Sequence, residues 1–115
     1  MYKIMTIEAI LLSVLDPPCL VRAMCDGAAA EEALAWDEYH AVIIDMAISG
    51  ADPLVLARRA AQRGCGTILV PDLPAQFHAA ARAGHLILAK PLRAKRVLEL
   101  VREACAAARP PRDAA

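Results

Sequence analysis

Two residues in this chain stand where side chains can do chemistry. The apolar run Ala41-Val42-Ile43-Ile44 ends in a carboxylate, Asp45, and the run Leu86-Ile87-Leu88-Ala89 ends in Lys90-Pro91. Uninterrupted apolar runs of this length read as strands buried on both faces, as in a parallel sheet. In such a sheet the residues that follow the strands emerge at its carboxyl edge, where ligands and reactions collect. A carboxylate and an ammonium facing each other there suit phosphoryl chemistry: the first accepts the group and the second holds it. The plainer alternative is a structural ion pair that pins two strand ends, each charge favouring the ionised form of the other.

The elements that position this pair follow from the pattern of the chain. Residues 2–7 (YKIMTI) are strand-like. Residues 8–15 suffice for about two helical turns before Pro17-Pro18 stop them. Residues 19–24 (CLVRAM) form a second strand candidate, Asp26-Gly27 reads as a turn, and residues 28–36 are rich in the helix formers Ala, Glu and Leu. The third strand covers residues 39–45. Asp52 is suited to cap a helix that has Pro53 at its first position and ends at Gly64. Residues 66–70 (GTILV) are the fourth strand, 75–83 a helix closed by Gly84, and 85–89 the fifth strand. In the last helix, 93–107, Val97, Val101 and Cys105 recur along one face. Five β/α units imply a single parallel sheet with helices on both faces and short right-handed connections.

Bulk composition narrows the function classes. At 115 residues, 58% hydrophobic and 23% charged, the chain is a folded domain with enough length for a core. Thirteen basic and thirteen acidic residues cancel, so no electrostatic case for nucleic acid arises; Arg93, Lys95, Arg96 and Arg102 read as a solvated helix face. The longest apolar run, residues 9–15, is far too short to span a bilayer, and no signal peptide is visible, which points to the cytoplasm. Four dispersed cysteines, Cys19, Cys25, Cys65 and Cys105, read as buried reduced thiols; their spacing from His40, His78 and His85 does not support zinc. Residues 109–115 (RPPRDAA) read as a disordered tail after a domain of 1–108.

Taken together, Cys25-Asp26-Gly27-Ala28-Ala29-Ala30-Glu31-Glu32-Ala33-Leu34, the strand ending in Asp45, and Ala80-Ala81-Arg82-Ala83-Gly84-His85-Leu86-Ile87-Leu88-Ala89-Lys90-Pro91 resemble the receiver domain of two-component response regulators over essentially the whole chain. The resemblance implies a flavodoxin-like sheet of order 2-1-3-4-5. It also implies Asp45 as phosphoacceptor, Lys90 as the phosphate-contacting lysine, and a cis bond before Pro91. Receivers use Mg²⁺, held by acidic residues after the first strand and by the phosphoacceptor, to offset negative charge during transfer. Here Glu8 takes the first acidic slot but Ala9 the second, so Glu8 with Asp45 gives a weak Mg²⁺ site. Pro71 replaces the hydroxyl that senses the phosphoryl group, and Ile87 replaces the aromatic switch residue. Asp72 beside Pro71 adds acidity but repels phosphate, and His85 lies next to the fifth strand.

The segment from Glu8 to Cys19 is also shorter than in the family, which stunts the first helix. An alternative register extends the first strand to Asp16 and makes that residue the acidic one. A stunted helix uncovers apolar surface, from which a homodimer is expected. The resulting expectation is an atypical receiver, a pseudo-receiver rather than an enzyme. It acts mainly through contacts with a histidine kinase, a phosphotransfer protein or a downstream signalling protein, at the surface near the last helix and fifth strand. Two alternatives stay open: a working phosphate shuttle or sink using Asp45, and a small α/β enzyme or subunit with a ligand at the sheet edge. Against the second, no Gly-rich phosphate loop follows the first strand.

Overall fold

Strands β1 (Tyr2–Thr6), β2 (Cys19–Ala23), β3 (Ala41–Asp45), β4 (Gly66–Val70) and β5 (Leu86–Ile87) form one parallel sheet in the order β2-β1-β3-β4-β5. This is the doubly wound order expected from the sequence. Between and after the strands run α1 (Gly27–Trp36), α2 (Pro53–Gln62), α3 (Pro74–Arg82) and α4 (Ala94–Ala107). The computed structural model describes residues 2–6, 19–23 and 26–107, with side chains at 4–6 and 26–107. Glu8, the segment expected to form the short first helix, the alternative strand ending at Asp16, and the tail all lie outside the described residues. So do the basis for a homodimer and the boundary between 1–108 and 109–115. No described helix is long and apolar enough to cross a membrane.

Successive residues of a strand point to opposite faces, and here both faces are buried. Ile4, Ala41, Ile43, Ile68, Val70 and Leu88 pack on Val97, Leu100, Val101 and Ala104 of α4. Met5, Val42, Ile44 and Leu69 pack on the other side against Leu34 of α1, Leu56 and Ala60 of α2 and Ala80 of α3. That two-sided burial explains the unbroken apolar runs in β3 and β4, where alternation would mark a half-exposed strand. At the start of β4, a Cβ added to Gly66 would lie 2.2 Å from the carbonyl oxygen of Ala104, so α4 rests directly on the strand backbone.

Helix ends follow their chemistry. The Asp52 carboxylate accepts from the N–H groups of Leu54 (2.9 Å) and Val55 (3.4 Å), and Pro53 opens α2. Gly64 and Gly84, just past α2 and α3, have positive φ of 90° and 84°. One expectation is corrected. Asp26-Gly27 is not a free turn: Asp26 caps α1, accepting from Ala29 N–H at 2.8 Å, and Gly27 is the first helical residue. Its N–H donates to the Ser49 carbonyl at 2.8 Å, and a Cβ there would sit 2.5 Å from that of Ala51. The helix start is thereby joined to the loop that follows Asp45. The fifth strand is also shorter than expected: its ladder covers Leu86 and Ile87, after which Leu88 N–H still donates to the Leu69 carbonyl (2.9 Å) before the chain turns into Lys90-Pro91.

Candidate functional site

The parallel register brings Asp45 opposite Val70, so the exits of β3 and β4 are level, and β5 ends beside them. Asp45 is held first by its own loop. Its Oδ1 accepts from Ala47 N–H at 2.9 Å, its carbonyl accepts from Ile48 N–H at 3.2 Å, and Met46 N–H donates to the Val70 carbonyl at 2.9 Å. The carboxylate is 16% exposed, reachable from solvent but not loose.

Lys90 arrives from β5. The Lys90-Pro91 bond is cis. The Nζ atom lies 3.5 Å from Asp45 Oδ2, so the residues expected to meet do meet. A second carboxylate is nearer, however: Asp72 Oδ1 is 2.5 Å from the same ammonium. The sequence reading placed acidity from Asp72 at this edge but did not foresee its contact with Lys90. The reason is local. Pro71 is buried at the exit of β4 and, with fixed φ, directs the next residue out over the edge where Lys90 emerges. The Lys90 ammonium is held above its ordinary range, chiefly by the hydrogen bond to Asp72 and then by the charge of Asp45, with partial desolvation acting against both.

Gln76, which sequence reasoning missed, ties this edge together. Its Oε1 accepts from the N–H groups of Asp72 (2.8 Å) and Leu73 (3.0 Å), and its Nε2 donates to the Met46 carbonyl at 3.3 Å. The signal available was its place as the third residue of α3, three after the N-cap Leu73, where Gln or Glu reaches back to the preceding N–H groups.

His85 does not belong to the site. Its Nδ1 is 2.6 Å from Thr67 Oγ1, near the amino end of β4, and burial pushes its pKa below the ordinary 6.5. Ile87 is partly buried and packs on the core beside Leu69. Cys65 and Cys105 are free and buried, and burial pushes the Cys65 thiol up, away from the reactive thiolate. Among the described residues no three His, Cys, Asp or Glu side chains converge, and the two carboxylates at this edge already share one ammonium. That set by itself does not fit a divalent cation, which calls for several oxygen ligands.

Three solved structures with a similar fold are receiver or response regulatory domains. The chain is similar to the receiver domain of Francisella response regulator 1452, with TM-score 0.77 and 15% identity, covering 92% of this chain and 98% of that one. It is similar to the receiver domain of sensor histidine kinase PA1611 from Pseudomonas aeruginosa PAO1, with TM-score 0.74, 20% identity and coverage of 91% and 98%. That structure has a magnesium ion coordinated in its active-site cleft. The response regulatory domain of protein mrkE from Klebsiella pneumoniae gives TM-score 0.74 and 15% identity, covering 91% of this chain and 96% of that one. No protein-family model and no curated protein matches the chain. At these identities the likeness establishes the receiver fold.

Proposed function

From the receiver fold we propose that this chain is an atypical receiver of a two-component or phosphorelay system, acting mainly through protein–protein contacts, with phosphorylation at Asp45 impaired. The observation that carries the reading is the arrangement at the carboxyl edge. Asp45 and Lys90, which the resemblance reads as phosphoacceptor and its lysine, lie 3.5 Å apart, while the neighbouring position is Pro71, which has no hydroxyl, and the ammonium is engaged by Asp72. Any hold on Mg²⁺ falls to Asp45 together with Glu8 and is weak. The partner is a histidine kinase, a phosphotransfer protein or a downstream signalling protein of the cytoplasm.

The surface beside the site supports a docking role. Leu73 (60% exposed) and Phe77 (44% exposed) line a cleft of about 330 Å³ whose other walls include Pro71, Pro74, Asp72 and Lys90. Large apolar side chains left in water next to a polar rim are a common property of interaction sites. Because Asp72 and Lys90 belong both to the edge and to the cleft, a change at one alters the other.

A second reading is favoured by the approach of Lys90 to Asp45: a working phosphoacceptor, serving as shuttle or sink. Incubation with acetyl phosphate, with and without Mg²⁺, separates the two when intact mass is recorded for the wild type and Asp45→Asn. Little or no adduct is expected. A stoichiometric, Mg²⁺-dependent adduct that disappears in Asp45→Asn replaces the first reading with the second. Solution mass at high concentration decides the homodimer, which a monomer rules out.

A further inference from the structure

We propose that Asp72, positioned by Gln76, is the resident counterion of Lys90 and competes for it with any anion carried on Asp45. The contact stands on geometry alone; the competition rests on the reading of Asp45 as a phosphoacceptor position.

Three loops meet at this edge, and their polar contacts close a circuit. Lys90 reaches Asp45 Oδ2 at 3.5 Å and Asp72 Oδ1 at 2.5 Å. Of the two, the second is within hydrogen-bond range and the first is a looser ion pair. Asp72 is fixed through its own N–H on Gln76 Oε1 (2.8 Å), and the amide of Gln76 donates to the carbonyl of Met46, the residue after Asp45 (3.3 Å). The circuit therefore runs from Asp45 through Lys90, Asp72, Gln76 and Met46 back to Asp45. Nothing in it needs a ligand. Among the described residues, Asp45 from β3, Asp72 from the β4–α3 loop and His78 of α3 are titratable groups beside this ammonium or lining its cleft.

Placing a phosphoryl group on Asp45 disturbs that arrangement. With acetyl phosphate as donor, the Asp45 carboxylate oxygen attacks phosphorus, a new P–O bond forms, and the P–O bond to the acetyl group breaks to release acetate. A phosphoryl group brings additional negative charge. That charge falls a few ångströms from the Asp72 carboxylate, and like charges at such distances repel. Lys90 then has to leave Asp72 or leave the phosphoryl group uncompensated. Gln76 holds the Asp72 N–H and Pro71 limits its loop, so the backbone of Asp72 stays at the edge and its carboxylate yields only by side-chain rotation. Asp72 thus acts as a positioning residue that engages the Lys90 ammonium in the resting state, at an edge where two carboxylates share one ammonium.

Two readouts test this. The first is acylation of lysine amines by a water-soluble acylating reagent over a pH series, quantified by mass spectrometry at Lys90 with Lys95 as internal reference. In Asp72→Asn the Lys90 rate rises about two- to fivefold, the range of an exposed ion pair, with its pH profile moved to lower pH and Lys95 unchanged. Asp72→Glu restores most of the protection, and Gln76→Ala gives a smaller rise. An unchanged Lys90 rate in Asp72→Asn, with the fold intact by circular dichroism, overturns the contact. The second readout is acetyl phosphate labelling of wild type and Asp72→Asn. A larger Asp45 adduct in Asp72→Asn supports the competition. Equal labelling of both overturns it while sparing the phosphoacceptor reading. No label in either variant overturns the competition and the phosphoacceptor reading together, with the acylation rates still deciding the contact.

Discussion

The two ends of β4 are built in different ways. At its amino end the strand meets α4 backbone to backbone, with Gly66 under the Ala104 carbonyl, and Thr67 pairs with His85 inside the α3–β5 corner. At its carboxyl end, past Val70, the contacts are made by long polar side chains, Asp72, Gln76 and Lys90, each reaching across open space to another loop. A close backbone approach has no slack, because no rotamer change relieves a clash there. A side-chain circuit at half-exposed positions yields by rotation and by admitting water. The amino end therefore fixes the fold, and the carboxyl end is free to carry a site.

Substitutions at the two ends should rank accordingly. Gly66→Val puts branched carbon against Ala104 and is expected to cost about 3 kcal/mol, read as a large drop in the urea midpoint. Gln76→Ala removes three hydrogen bonds but leaves their backbone partners near water. We expect about 1 kcal/mol and faster hydrogen exchange at the Asp72 and Leu73 amides. Asp72→Asn should change stability by no more than about 0.5 kcal/mol. If Gln76→Ala proves more damaging than Gly66→Val, the contrast between the two ends is reversed.

A pH series sharpens the comparison with the smallest effects, since both groups involved are partly exposed. His85 has a lowered folded pKa, so the unfolded chain binds more protons below about pH 6.5. Its contribution is present above that value and is lost as pH falls through the folded pKa; His85→Gln should flatten this acid limb. Lys90 has a raised folded pKa, so its contribution is present below 10.5 and is lost as pH rises through the folded value. Asp72→Asn should reduce that alkaline limb and leave the acid limb alone.

Much of this was legible in the residues. β3 and β4 announced themselves because burial on both faces removes alternation, and the α2 boundary because Asp52-Pro53 and Gly64 are unambiguous punctuation. Asp45 and Lys90 were found by one topological rule, that parallel strands deliver their following residues to a common edge. Asp26-Gly27 was misread because the pair serves turns and helix caps alike. Only the Ser49 carbonyl and the Ala51 side chain, remote in the chain, decide for the cap. Asp72 was noticed but given no partner, since the 2.5 Å contact depends on where two loops lie in space. Gln76 was missed because a polar residue on an amphipathic helix looks like any other solvated position.

The polar circuit also has a bearing on how the protein is made. Its links join residues 18 and 30 positions apart in the chain, and such contacts form only after the intervening segments have folded. During synthesis, Asp45 and Gln76 are added to the chain before Lys90 exists to complete the ring. The edge is thus assembled only once the chain through Lys90 has been made and its strands have come together.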